Sequence, residues 1–229
     1  MPGPYSGPMT EIDDSPEAAP TDCARCGKPA ALCVCDAATP LDNRIRLLIL
    51  QHPQEQDREL GTARLTLLHL KHALLKIGLS WPSLAKALGR EVDPKRWAVL
   101  YLGSAGAATL PREREIVLLD TKGAPIEEQD RALAGIEGVI VLDGSWSQAK
   151  TLWWRNPWVL KCRRLALNPK QPSRYGKLRR EPRREGLATL EAAALALARL
   201  GRQPEIETAL TASFVRLLAA YRAANTHPK

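Results

Sequence analysis

Gly138-Val139-Ile140-Val141-Leu142-Asp143-Gly144-Ser145-Trp146-Ser147-Gln148-Ala149-Lys150 is the stretch whose reading decides the fold. Its first five residues are an apolar, β-branched run, the pattern of a buried strand. Asp143-Gly144 ends that run in a turn. Ser145, with Gln148 three residues later, is a capping-box signature for the helix that follows. A carboxylate, a hydroxyl and an indole are thereby set where a strand's carboxyl end meets a helix N-terminus. Open α/β sheets bind their ligands at that point.

Outward from this segment the chain alternates strand and helix. Strands are predicted over residues 46–50, 97–102, 116–119, 139–142 and 164–167, the last following Cys162, which reads as a buried apolar residue within the same strand. Leu65, Leu68 and Leu75 fall at helical spacing, which predicts one amphipathic helix over residues 62–77. Further helices are predicted over 146–154, 187–200 and 206–224. This alternation implies α/β architecture, a mainly parallel sheet with helices on both faces. The loop Gly103-Ser104-Ala105-Gly106 follows a strand, so its amides can approach a nucleotide, or it is simply a tight turn. His52, before Pro53 and near Glu55, suits either acid–base chemistry or a structural hydrogen bond.

The formal charge of +8 is unevenly spread. Between Lys150 and Arg184 there are twelve Lys or Arg and one acid, Glu181, so this segment carries +11 and the remainder −3. A focused basic surface attracts a polyanion, with RNA or DNA the leading candidate. The alternative, a solvated basic helix face, fits poorly with the segment's prolines and glycines. Lys150, Arg155, Arg174, Lys177, Arg179, Arg180, Arg183 and Arg184 are the candidate RNA-binding residues. Trp146, Trp153, Trp154 and Trp158 open the same region. Indoles stack on unpaired bases, although most tryptophans simply bury area.

Four of the five cysteines are Cys23, Cys26, Cys33 and Cys35. A C-x2-C knuckle followed by Gly27, then a C-x-C pair, suits tetrahedral zinc with no open position, the alternatives being a redox or iron–sulfur role or unligated thiols. Such a metal is structural. No run is long and apolar enough to span a membrane, and no signal peptide is evident. The expectation is a cytoplasmic protein with reduced thiols. Residues 1–22 read as a flexible tail, 23–40 as a four-cysteine zinc-binding module, and 41–229 as the catalytic domain.

These pieces together resemble the DTW-domain family. The family's Asp-x-Thr-Trp-x-x-Ala motif reads here Asp143-Gly144-Ser145-Trp146-Ser147-Gln148-Ala149. Pro172-Ser173-Arg174-Tyr175…Arg179-Arg180-Glu181-Pro182 is similar to its Pro-Ser-x-Tyr…Arg-Lys-x-Pro block, and Leu187-Ala188-Thr189-Leu190-Glu191-Ala192 to its Leu-Ser-Thr-x-Glu-Ala block. His52-Pro53, Glu55 and Thr62 match its first block. Ser145 stands for the usual threonine and keeps the hydroxyl; Ala188 stands for the usual serine and loses it.

The resemblance implies a tRNA-uridine aminocarboxypropyltransferase. Such an enzyme moves the 3-amino-3-carboxypropyl arm of S-adenosylmethionine to uridine N3 and releases methylthioadenosine. It also implies a SPOUT-like fold with a C-terminal trefoil knot, of which periodicity gives no sign. On this reading Asp143, Ser145 and Trp146 form the catalytic group, with Asp143 the candidate base for N3, or else a turn residue that caps the following helix. Donor contacts are expected from Leu102, Gly103, Ser104, Leu142, Leu167, Ser173, Tyr175, Leu187, Thr189 and Glu191. The rival readings are a SPOUT-type RNA methyltransferase and a non-catalytic, zinc-containing RNA-binding protein.

Overall fold

The computed structural model describes residues 22–100, 110–178 and 186–225. Six strands form one sheet: β1 (Arg46–Gln51), β2 (Ala73–Ile77), β3 (Trp97–Leu100), β4 (Ile116–Leu119), β5 (Gly138–Asp143) and β6 (Arg163–Leu167). Their order is β2-β1-β5-β3-β6-β4, and all neighbours run parallel except β4, which pairs antiparallel with β6. The described helices are α1 (Ala63–Leu68), α2 (Leu84–Leu88), α3 (Gln129–Ala134), α4 (Trp146–Arg155), α5 (Thr189–Gly201) and α6 (Pro204–Asn225).

The adjacent strands β1 and β5 are apolar between their ends because both of their faces are covered. Leu47 and Ile49 of β1, with Val139 and Val141 of β5, pack into a cluster with α1, α5 and α6. The alternate residues Leu48, Leu50, Ile140 and Leu142 pack with Trp97 and Val99 against α2 and α4. A strand's period of two sorts these side chains to opposite faces. At the start of β5, Gly138 sits beside Trp97 in register. A β-carbon at Gly138 would come within 2.6 Å of the Trp97 ring, so only glycine fits.

The helix predicted over 62–77 is two elements. α1 ends at Leu68, the chain turns, and residues 73–77 become β2, aligned along β1 from Leu47 beside Ala73 to Gln51 beside Ile77. The edge of β1 offers a row of backbone donors and acceptors, and pairing with it overrides the helical spacing of the leucines. Asn43 fixes the turn: its Nδ2 donates to the carbonyls of Ile45 and His72 at 2.8 and 3.1 Å, and its Oδ1 accepts from the His72 amide at 2.9 Å.

Cys162 lies one residue before β6 rather than within it, and burial pushes its thiol up to about 12. Sequence reading also missed α2 and α3, each of five or six residues. For α2 the signals were present: Ser83 caps its start, accepting from the Lys86 amide at 3.1 Å, and Gly89 closes it with φ +72°.

The cysteine segment is packed onto this body. Leu32 and Val34 are buried in the α5–α6 cluster, and Asp36 pairs with Arg216 of α6 at 2.8 Å. Among the described residues, no helix is long and apolar enough to cross a membrane.

Candidate active site and metal centre

β1 and β5 end side by side, with Gln51 in register with Asp143. Asp143 is buried, and its carboxylate is held from two directions. The Gln51 side-chain amide donates to Oδ2 at 2.7 Å, and the Thr189 hydroxyl, in the first turn of α5, donates to Oδ1. The Asp143 carbonyl accepts from the His52 amide at 2.9 Å. A carboxylate beside a helix N-terminus also gains from that end's partial positive charge. Asp143 therefore joins the ends of two strands to the start of α5 and does not cap α4. Each carboxylate oxygen keeps a further lone pair beyond these bonds. Sequence reasoning missed Gln51; the available signal was a polar residue closing an otherwise apolar strand.

Ser145 caps α4. Its Oγ accepts from the Gln148 amide at 3.4 Å, and Gln148 Oε1 accepts from the Ser145 amide at 2.6 Å, which is the capping box read from the sequence. Gly144 permits that approach, since a β-carbon there would meet the Gln148 Cβ at 2.8 Å. Trp146 is half-buried at the first turn, with the Lys150 ammonium 5.6 Å from its ring centroid. His52 Nδ1 accepts from the Gln54 amide at 3.3 Å and so caps the Pro53–Glu55 turn.

Glu191 and Ser173 meet although neither touches Asp143. The Glu191 carboxylate accepts from Ser173 Oγ at 2.5 Å, the Arg174 amide at 2.8 Å and the Ala188 amide at 2.9 Å. Ala188 has no acceptor to return, so only half of a capping box exists at α5. Thr62 fills in from outside the helix, its Oγ1 accepting from the Leu190 amide at 3.2 Å. Tyr175 points into the core, with its ring edge-on to Phe214 at 5.0 Å and its hydroxyl donating to the Leu60 carbonyl at 2.6 Å. Leu142 is buried in one apolar cluster, and Leu167 and Leu187 are half-buried against the other. Leu102, Gly103 and Ser104 lie outside the described residues.

Of the candidate RNA-binding residues, Lys150, Arg155 and Arg174 are exposed. Arg179, Arg180, Arg183 and Arg184 lie outside the described residues, as does the Lys177 side chain. Among the tryptophans, Trp158 is buried with its Nε1 donating to the Trp81 carbonyl at 2.8 Å, whereas Trp154 is 77% exposed.

At the N-terminal end the sulfurs of Cys23, Cys26, Cys33 and Cys35 all lie within 4.8 Å of one another. Cys23 and Cys35 are 3.8 Å apart, and Cys26 and Cys33 are 3.9 Å apart. Metal–sulfur bonds of about 2.3 Å in a regular tetrahedron set edges of about 3.8 Å, so the donor set fits a metal ion. The Cys26 and Arg25 amides hold the Cys23 thiol down at about 6, while burial pushes the Cys26 and Cys35 thiols up. Bound metal would convert all four to thiolates. Lys28 is buried alongside, its Nζ donating to the Glu59 carbonyl at 2.5 Å and the Arg58 carbonyl at 3.4 Å; burial draws its pKa below the ordinary lysine value. That ammonium faces a cluster that becomes negative when four thiolates bind one divalent ion.

No solved structure matches the chain. The chain is 30% identical over 212 residues to tRNA-uridine aminocarboxypropyltransferase 2 of Macaca fascicularis, covering 88% of this chain and 64% of that protein. It is 30% identical over 194 residues to the proteins of the same name from Drosophila melanogaster and Mus musculus, covering 82% of this chain and 70% and 59% of theirs. The chain thus spans just under two thirds of the length of the macaque relative. Residues 20–222 match the DTW domain, and the chain belongs to the DTW-domain family.

Proposed function

We propose that this protein is a tRNA-uridine aminocarboxypropyltransferase, with S-adenosylmethionine as donor and uridine N3 as acceptor. The observation that carries the proposal is the meeting of four sequence blocks at the sheet's carboxyl edge. His52 from the first block and Thr189 from the last both bond Asp143, and Glu191 from the last bonds Ser173 from the third. Relatives that carry the activity in their names are similar over most of this chain.

The reaction on this reading is a single displacement. Uridine N3 gives its proton to the Asp143 carboxylate and forms a bond to the γ-carbon of the amino-acid arm. The bond from that carbon to sulfur breaks, and its electron pair leaves on sulfur as the neutral thioether of methylthioadenosine. The leaving sulfonium already carries positive charge, so arginine is better placed on the donor carboxylate or on RNA phosphates. Choosing this carbon over the methyl on the same sulfur is a matter of orientation. Ser145 and Trp146 border the reacting position. Donor contacts come from the Leu142 and Leu167 strand ends, from residues 102–104 and from residues between Ser173 and Thr189. The latch between Glu191 and Ser173 shapes that segment, and Tyr175 anchors it.

The proposal extends to the other parts of the chain. Residues 41–229 act as the catalytic domain, and residues 23–40 carry structural zinc on the four cysteines. The fold is SPOUT-like with a C-terminal knot. Tracing residues 168–188 in a crystal structure tests it. A tRNA substrate and reduced thiols fit a cytoplasmic setting.

Incubating the protein with tRNA and labelled donor and then analysing nucleosides tests the activity. Methylthioadenosine as product supports the proposal. S-adenosylhomocysteine would mean methyl transfer, and no donor binding in calorimetry would leave an RNA-binding protein. Asp143→Asn is expected to keep donor binding and lose at least about a hundredfold in transfer. Near-normal turnover in that variant refutes the base.

A further inference from the structure

The α4 helix leaves the candidate site carrying a surface that, beyond Trp146, the reaction at Asp143 does not use. From Trp146 to Arg163 the chain has four Lys or Arg and no Asp or Glu. Buried Ala149 and Leu152 take the sheet side of α4. At 100° per residue, Trp146, Lys150 and Trp154 fall within about 80° of one another; Trp154 is about 140–160° from the buried pair, whereas Trp146 is only about 60° from Ala149. Lys150 stands between the two indoles and lies over the first of them. Trp154 is 77% exposed, the most exposed large apolar side chain among the described residues. Holding an indole in water is unfavourable by about the transfer free energy of its ring. Its neighbours Lys150 and Arg155 are exposed cations.

We propose that Trp154 is a stacking platform for an unpaired base of the bound tRNA, flanked by Lys150 and Arg155 on the phosphates. The occupant follows from charge complementarity, since an acid-free, cationic stripe around a single exposed ring is how single-stranded nucleic acid is held. With 1.5 Å of rise per residue, Trp154 stands about 12 Å along α4 from Trp146. It therefore holds a nucleotide away from the one that reacts and orients the loop that carries it. Trp154 is a positioning residue and touches neither donor nor reacting atoms. The inference rests on the proposed tRNA activity, and its failure can be told apart from that activity's failure.

The experiment measures the affinity of the full-length protein for bulk tRNA by filter binding at several salt concentrations. It compares wild type with Trp154→Ala, Trp154→Phe and Lys150→Ala, and follows donor binding by calorimetry. Trp154→Ala is expected to weaken tRNA binding about tenfold or more, with donor affinity and melting temperature unchanged. Trp154→Phe should recover most of the loss, because a ring face remains. Lys150→Ala should reduce the salt dependence by about one phosphate contact. With tRNA at saturation, transfer by Trp154→Ala should recover, so the defect appears in KM more than in kcat. Wild-type tRNA affinity retained in Trp154→Ala overturns the inference while leaving the activity standing. So does unchanged tRNA affinity accompanied by loss of self-association, or by loss of binding to anionic phospholipid vesicles, since Trp154 would then serve another partner. Absence of tRNA binding by wild type overturns the activity itself.

Discussion

Glu191 accepts three hydrogen bonds with one carboxylate, and the donors come from both sides of the residues 179–185 that separate Ser173 from Ala188. Bonds to an ionised acceptor are stronger than neutral ones, but Glu191 is half-exposed and solvent screens part of the gain. Glu191→Ala is expected to lower stability by about 2 kcal/mol, read from urea unfolding. It should also open the 173–175 segment, so trypsin would cut after Arg174 in the folded variant but not in wild type. An uncut variant would mean that the buried Tyr175 ring alone holds the segment. At this scale the sequence was half legible. Asp143, Thr189 and Glu191 were recognisable as polar residues of family blocks, but nothing local said that Thr189 would bond Asp143, or that Tyr175 would turn inward to Phe214. Those pairings depend on contacts across 46 residues in one case and 39 in the other, where periodicity carries no information.

Among the elements, β5 and α4 were readable because each carries its own signal: a buried apolar run, then a capping box. β2 was not. Its leucines follow those of α1 at helical spacing, and only the free edge of β1 makes it a strand. The Trp97–Gly138 pair was equally hidden, because it belongs to the register of two strands and to neither alone. Gly138→Ala drives a methyl to 2.6 Å from a ring that is itself fully buried. Overpacking of this kind costs about 3 kcal/mol, and thermal unfolding should show a correspondingly lower midpoint. An unchanged midpoint would mean that β3 can slide along β5, against the in-register pairing described.

For the molecule as a whole, the parallel sheet and its two covered faces followed from strand–helix alternation, whereas the order of strands did not. The cysteine spacing was legible as four thiols able to hold one metal ion, but the attachment of that segment to the body was not. Leu32 and Val34 enter the main core, and Lys28 grips the loop at Arg58 and Glu59, which in turn receives Tyr175 at Leu60. Stripping the metal with a chelator is therefore expected to lower the melting temperature by several degrees. It should also increase hydrogen exchange at residues 58–61, far along the chain from any cysteine. Stable protein with unchanged exchange and no metal by elemental analysis would overturn the structural-zinc proposal.

The place of β5 between β1 and β3 bears on how the chain is born. Both of its neighbours are synthesised first, and Gln51 must wait for Asp143, 92 residues later. At about 5–20 residues per second, that is roughly 5–18 s on the ribosome with the flank of β1 that faces β5 unsatisfied. The nascent N-terminal third can close on β2 and, once metal is bound, on its cysteines, but it cannot complete a sheet. Chaperone occupancy on translating ribosomes should accordingly rise after β1 emerges and fall only when β5 clears the exit tunnel.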